Sequence, residues 1–175
     1  MDSMIGKWND WYSGIRSPQA YGSDETYIMG AYFLNGLDVE DWGCGKGYFS
    51  TVHTGGYVGV DGTETPFSDI VVDLRYHTSR TEGLFMRHVI EHNLEWELVL
   101  ANAIKSFTRK MALVLFTPMS EKTKQIAWNA GVEVPDMSFS HEDIMKMVPD
   151  SVNAEWIDLQ TTTQYGVERF YGFTR

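Results

Sequence analysis

The stretch Val39-Glu40-Asp41-Trp42-Gly43-Cys44-Gly45-Lys46-Gly47, followed by Tyr57-Val58-Gly59-Val60-Asp61, is the part of this sequence best suited to hold a ligand. Closely spaced glycines after a strand let the backbone turn sharply and bring its amides against a bound group. An acidic residue ending the next strand, here Asp61, can accept hydrogen bonds from ribose hydroxyls. Together they describe a site for an adenosine-containing ligand at the carboxyl ends of a sheet. A dinucleotide fingerprint, Gly-x-Gly-x-x-Gly, would need glycine at position 48, which is Tyr48. The order present is Asp-x-Gly-x-Gly-x-Gly, from Asp41 to Gly47.

A second group with chemical potential is His88, Glu91 and His92. Imidazole titrates near neutrality, so either histidine suits removal of a proton from an oxygen or nitrogen nucleophile. On a helix, positions 88 and 92 would share one face. The same three residues offer nitrogen and oxygen ligands to a divalent metal. The plain structural alternative is that Glu91 and His92 only cap and position the helix that follows.

The elements that must place these residues are legible in outline. Ser23, Asp24 and Glu25 look like a helix start, with Tyr27, Ile28, Ala31, Tyr32 and Leu34 at helical spacing and Gly36 as the stop. Strands are expected at 37–42, 57–61, 69–74 and 83–90, with a short helix at 48–53. Between residues 91 and 109 the apolar positions Trp96, Val99, Leu100, Ala103, Ile104 and Phe107 predict an amphipathic helix that serves the core. Residues 111–117 form a near-continuous apolar run, as for a strand covered on both faces. Ser120 and Ser140 sit where helix caps belong, Ser140 with Asp143 as a capping box. Residues 155–175 suggest two extended segments hinged around Gln164-Tyr165-Gly166. Alternating strands and helices imply a mainly parallel sheet with a terminal antiparallel hairpin. Residues 62–68 are too few for a full crossover helix, so either that helix shrinks to a single turn or the second and third strands lie elsewhere.

Composition bounds the rest. A chain of 175 residues, 43% hydrophobic and 14% aromatic, suits one folded domain. A net charge of −10 argues against bulk affinity for nucleic acid or an anionic membrane. Arg75, Arg80 and Arg87 remain candidates for a local basic groove. The lone Cys44 can make no intramolecular disulfide, which fits a reducing, cytoplasmic setting. Residues 1–16 have no apolar signal core, and no apolar run is long enough to span a membrane.

The glycine loop resembles motif I of class I S-adenosylmethionine-dependent methyltransferases, and Val58-Gly59-Val60-Asp61 is similar to their ribose-binding segment. The likeness continues in order. Asp69-Ile70-Val71-Val72-Asp73-Leu74 resembles the third strand of that family, and Met86-Arg87-His88-Val89-Ile90-Glu91-His92 its fourth-strand signature. Residues 111–118 resemble the fifth strand and 139–144 the opening of the helix before the final hairpin.

What the resemblance implies is specific. The fold would be a three-layer Rossmann-like α/β sandwich: a mainly parallel seven-stranded sheet, a C-terminal antiparallel hairpin, and a shortened helix between the second and third strands. Residues 1–175 would form one methyltransferase domain, with an N-terminal lid or helical segment at 1–36 and a catalytic core at 37–175. Asp41, Gly43, Gly45 and Gly47 would hold the methionine end of S-adenosylmethionine, with backbone contact at most from Cys44. Asp61 would bind the ribose, with Gly62 beside it. Asp73 and the Leu74 amide would face the adenine, and Arg87 would line the pocket through its backbone. The product would be S-adenosylhomocysteine.

The candidate catalytic residues are His88 and His92, and Tyr12, Tyr21 and Tyr27 are candidates for a lid. Metal binding at His88, Glu91 and His92, as in some quinone O-methyltransferases of this architecture, is the weaker alternative. Residues 131–139 lie where substrate loops of the family commonly sit. The expected acceptor is a small molecule or metabolite methylated on oxygen or nitrogen. The alternatives are a nucleic-acid or protein methyltransferase that relies on a partner for recognition, and a non-catalytic S-adenosylmethionine-binding module. The Asn/Asp-Pro-Pro-Tyr and Pro-Cys motifs of DNA methyltransferases are absent.

Overall fold

Alternation along the strands separates two apolar surfaces. In β1 (Val39–Trp42), β4 (Thr81–Arg87), β5 (Phe107–Leu115) and β9 (Val167–Thr174), successive side chains go to opposite faces. Trp42, Leu84, Met86, Met111, Leu113, Leu115, Tyr171 and Phe173 therefore fill one core. Val39, Phe85, Ala112, Val114 and Phe170 fill the other. The first core is closed by α4 (Trp96–Ser106) and α5 (His141–Lys146), the second by α2 (Glu25–Phe33) and α3 (Phe49–Val52). This is the expected three-layer sandwich.

The computed structural model describes residues 2–175, with side chains from residue 7 onward; residue 1 and the side chains of 2–6, part of the expected lid segment, lie outside the described residues. Besides the elements above it contains α1 (Asp2–Tyr12), β2 (Tyr57–Asp61), β3 (Ile70–Val71), a 3-10 turn at Ile90–His92, β6 (Lys124–Asn129), β7 (Val134–Ser138) and β8 (Asn153–Gln160). The main sheet has the order β3-β2-β1-β4-β5-β9-β8, and β6 and β7 form a separate hairpin. Strands β1 to β5 run parallel, and β9 is antiparallel to both β5 and β8. Among the described residues, no helix is long and apolar enough to cross a membrane.

Three local expectations are corrected. Residues 62–69 carry turns and no helix, so the shortened crossover helix is absent, and the third strand is only Ile70–Val71. The reason is close backbone packing. The Asp69 carboxylate accepts from the Gly59 amide at 2.8 Å, the Asp69 amide donates to the Gly59 carbonyl at 2.8 Å, and a Cβ on Gly59 would lie 2.2 Å from the Phe67 carbonyl oxygen. A helix could not lie this close to β2. The fourth strand ends at Arg87, not at 90, because His88 takes a left-handed backbone conformation, φ 58°, and turns the chain. Ser120 caps no helix; its hydroxyl donates to the Lys122 carbonyl and β6 follows. Ser140 does cap α5, accepting from the Asp143 amide at 3.1 Å.

The bare connection at Gly59 makes a testable point. Gly59→Ala is expected to lower stability by about 1–3 kcal/mol through overpacking, read as a shift in the urea midpoint. Gly14→Ala, where an added Cβ meets nothing within 4 Å, is the control and is expected to be nearly neutral.

Candidate functional site

The carboxyl ends of β1, β2, β3 and β4 open into a cavity of about 540 Å³, within the range of small-molecule sites. Its first wall is built from the glycine loop and the ends of β2 and β3. Gly43 needs its φ of 76°, and a Cβ there would stand 2.3 Å from Val89 Cγ2. The amides of Gly43 and Cys44 donate to the Val60 carbonyl at 2.7 and 3.2 Å, which ties the loop to β2. Asp61 accepts from the amides of Gly45 and Thr63, each at 2.9 Å. Burial pushes its carboxyl up to about 6 against the pull of those amides.

Gly62, Asp73 and Leu74 continue this wall. Asp73 is held by Arg75, Oδ2 to Nη2 at 2.6 Å, and this guanidinium keeps its carboxyl below the usual range. Arg75 also bonds Glu95.

The remaining residues expected to hold a ligand are placed beneath or beside the wall and do not line it. Asp41 accepts from the Tyr57 hydroxyl at 2.9 Å, and burial raises its carboxyl to about 7. Cys44 is buried with its thiol toward the Phe67 carbonyl. A Cβ on Gly45 would meet the Tyr12 hydroxyl at 3.0 Å, and one on Gly47 would strike the Phe67 ring at 2.4 Å. Arg87 turns inward. It donates to Glu168 at 2.7 Å, to Thr26 at 2.9 Å and to the Tyr21 carbonyl at 2.9 Å, with its guanidinium 4.0 Å over the Tyr27 ring. The local basic groove is therefore not formed, since Arg75 is paired, Arg87 is buried and Arg80 stands apart on an exposed loop.

The second wall holds both histidines, in different settings. His88 Nε2 donates to Glu168 Oε1 at 2.6 Å. Burial, then the Arg87 guanidinium, push His88 down to about 3 despite Glu168, so the ring is neutral and this contact is a hydrogen bond to a carboxylate. Burial works to raise Glu168, but His88, Arg87 and Thr26 outweigh it and keep it ionised.

His92 Nδ1 lies 3.1 Å from the Pro135 carbonyl and 3.4 Å from Asp136 Oδ1. Burial works to lower its pKa, but Asp136, Glu91 and the Pro135 carbonyl outweigh that, and the imidazole is held above its ordinary value. Glu91 turns away from the cavity. Its Oε1 accepts from the Phe116 amide at 2.7 Å, its Oε2 is buried without a partner, and burial raises it to about 7. The three side chains thus serve different partners. Among the described residues no group of three His, Cys, Asp or Glu is placed to hold a metal ion.

Two elements roof the cavity. Trp8 and Tyr12 come from α1, their rings stacked at 5.6 Å, with Trp8 also 6.0 Å from the His92 ring. Trp128, Glu133, Val134 and Pro135 come from the β6–β7 hairpin. Lys7 joins the two through Glu133 at 2.5 Å. Of the expected lid tyrosines only Tyr12 lines the cavity; Tyr21 bonds its hydroxyl at 3.3 Å, and Tyr27 packs in the second core.

Sequence reasoning missed Glu168, Asp136, Trp8 and Trp128. Glu168 carried a usable signal, because it shares a strand face with the core residue Phe170 and so had to point inward. Asp136 lay inside the segment marked for substrate loops, with nothing in its type to set it apart.

No family model and no curated protein matches the chain. Solved structures do. Magnesium protoporphyrin IX methyltransferase from Synechocystis PCC 6803, solved with bound S-adenosylhomocysteine, is 15% identical with a TM-score of 0.64, covering 99% of this chain and 97% of that one. The 1,6-didemethyltoxoflavin-N1-methyltransferase from Burkholderia thailandensis is 13% identical with a TM-score of 0.61, over 99% and 84% of the two chains. The [4+2]-cyclase SpnF is 9% identical with a TM-score of 0.63, over 99% and 93%. The chain has the class I methyltransferase fold, a scaffold that hosts more than one chemistry.

Proposed function

We propose that the chain transfers a methyl group from S-adenosylmethionine to a small-molecule acceptor. The observation that carries this reading is one cavity with two unlike walls: Gly43, Asp61, Gly62, Asp73 and Leu74 on one side, and His88 and His92 on the other. The first wall fits the cofactor by its chemistry. Two carboxylates stand at the ends of adjacent strands, where ribose and adenine donors would meet them, and Leu74 supplies an apolar contact for the ring. S-adenosylmethionine, when bound, supplies a methyl group already activated on a sulfonium. The protein's remaining tasks are to align the acceptor and to take its proton.

His92 is the better base. Its open Nε2 faces no competing partner among the described residues, and its pKa is held up by Asp136 and Glu91, whereas His88 is locked into the Arg87–Glu168 network and pushed to about 3. Trp8 and Tyr12 roof the cavity without filling it, which favours an enzyme over a binding module.

Calorimetric titration with S-adenosylmethionine and S-adenosylhomocysteine tests the reading. Micromolar binding is expected, weakened at least 100-fold by Asp61→Ala. A folded protein that binds neither ligand would remove the enzyme reading.

A further inference from the structure

The second wall narrows the acceptor, and the inference rests on the methyl-transfer reading above. A carbonyl oxygen only accepts, so the short contact to Pro135 puts the His92 ring proton on Nδ1. The lone pair is then on Nε2, which no group among the described residues engages. Asp136, on the hairpin, backs the Nδ1 side at 3.4 Å. It is itself fixed by the Tyr165 hydroxyl at 2.7 Å and by Gln164 Nε2 at 3.5 Å. A base oriented by a buried carboxylate, itself hydrogen-bonded, is the arrangement that proton removal from a nucleophile requires. The charged and titratable groups about His92 are Glu91 on its own turn, His88, and Asp136 with Tyr165 behind it.

Such a base would be idle for an acceptor that is already an anion. The described lining residues also offer an anion no uncommitted permanent cation. Arg75, the one permanent cation among the described lining residues, is bonded to Asp73 and Glu95, while Asp61, Asp73, Glu95 and Glu133 all carry acid groups. The apolar surface points the same way. Trp128 and Leu94 are 52% and 61% exposed yet line this cavity, together with Trp8, Val134 and Pro135. Large apolar groups left open around a few polar atoms are characteristic of a ligand wall. A phenolic hydroxyl, with a pKa of about 10, lies within reach of an imidazole held above its ordinary value, whereas an aliphatic alcohol does not.

We propose that the acceptor is an uncharged planar aromatic compound methylated at a phenol-type hydroxyl, with His92 as the base and Asp136 as its positioning residue. The hydroxyl proton passes to His92 Nε2. The oxygen lone pair forms the new O–CH3 bond as the methyl–sulfur bond breaks, and that bond's electrons stay on sulfur, leaving a neutral thioether. The imidazolium, stabilised by Asp136, returns its proton to water.

The test is calorimetry on the full chain, first with S-adenosylhomocysteine and then with 2-naphthol and 2-naphthoate on the saturated protein. 2-Naphthol is expected to bind at least ten-fold more tightly than 2-naphthoate, and Trp128→Ala to weaken it at least ten-fold with the S-adenosylhomocysteine affinity unchanged. Asp136→Asn is expected to keep both affinities and to move the His92 titration, followed by NMR, to lower pH. Asp136→Ser, which also removes the carboxylate, should move it the same way, and it serves in place of Asp136→Asn should that variant not fold. Equal binding of naphthoate, indifference of naphthol to Trp128→Ala, or an unmoved His92 titration would overturn the assignment. S-adenosylhomocysteine binding without naphthol binding sinks this assignment alone. Absence of S-adenosylhomocysteine binding sinks the methyl-transfer reading, and this assignment with it.

Discussion

Glu168→Ala is expected to lower stability by about 3–5 kcal/mol, the loss seen when one partner of a buried ion pair is removed. Glu168 has a fully buried side chain, and its Oε1 gathers Arg87, His88 and Thr26. Without it the Arg87 guanidinium stays buried over the Tyr27 ring with no counter-charge, and His88 loses the acceptor for its Nε2 proton. Because a typical domain is stable by only about 5–15 kcal/mol, the variant should be partly unfolded at 37 °C. Glu168→Gln keeps an oxygen acceptor and removes the charge, so its loss should be smaller. The double variant Arg87→Met with Glu168→Leu should recover much of what Glu168→Ala loses, since apolar replacement of a whole buried pair is often neutral. Urea midpoints of the four proteins decide the matter. A midpoint for Glu168→Ala within error of the parent would mean that the network contributes little.

Stability should fall as pH rises from about 5 to 8, the reverse of an ordinary acid-sensitive protein. Burial raises Asp41 and Glu91 to about 7 and Asp61 to about 6, far above the values near 4 of an unfolded chain. Between those limits the native state holds more protons than the unfolded one. Their stabilising effect is therefore fully present below about pH 4 and is lost as pH climbs through the folded values. Each of Asp41 and Glu91 accounts for about 2–4 kcal/mol of that decline. His92, also raised, has the same sign.

His88 opposes it. Neutral in the fold down to about 3, it adds stability as pH rises to the ordinary histidine value and then levels off. Asp73, Asp136 and Glu168, all lowered, are lost only under more acid conditions. A maximum near pH 5 follows. Asp41→Asn keeps an acceptor for the Tyr57 hydroxyl and removes the titrating proton. It should raise stability at pH 8 by about 1–3 kcal/mol and flatten the profile. Unfolding curves at pH 5, 6.5 and 8 check this, and a wild-type profile that rises toward pH 8 would contradict it.

The parts legible in the sequence are those governed by local spacing. The Trp96 to Ile104 stripe, the glycine loop, Asp61 and the terminal hairpin each follow from a periodicity or a turn chemistry that neighbours in the chain decide. The parts that were not legible depend on contacts between distant residues. The Arg87 side chain is drawn inward by a carboxylate 81 positions away. Asp73 is an exception, since its partner Arg75 lies only two residues on. Residues 62–69 lack a helix because of a backbone approach at Gly59 that no side-chain pattern encodes. His88 and His92 differ in the carboxylate each one meets, and both carboxylates lie far along the chain.

The tie between Lys7 and Glu133 spans the mouth of the cavity. It crosses from α1 to the hairpin tip, and its side chains are 39% and 40% exposed. An ion pair so open to solvent contributes at most about 1 kcal/mol and is weakened as salt shortens the Debye length from about 30 Å at 0.01 M toward about 8 Å at 0.15 M. Ligand exchange that waits for this latch should therefore quicken with ionic strength, in stopped-flow release as in turnover. Ordinary salt would then change the residence time of a bound ligand, by about five-fold at most.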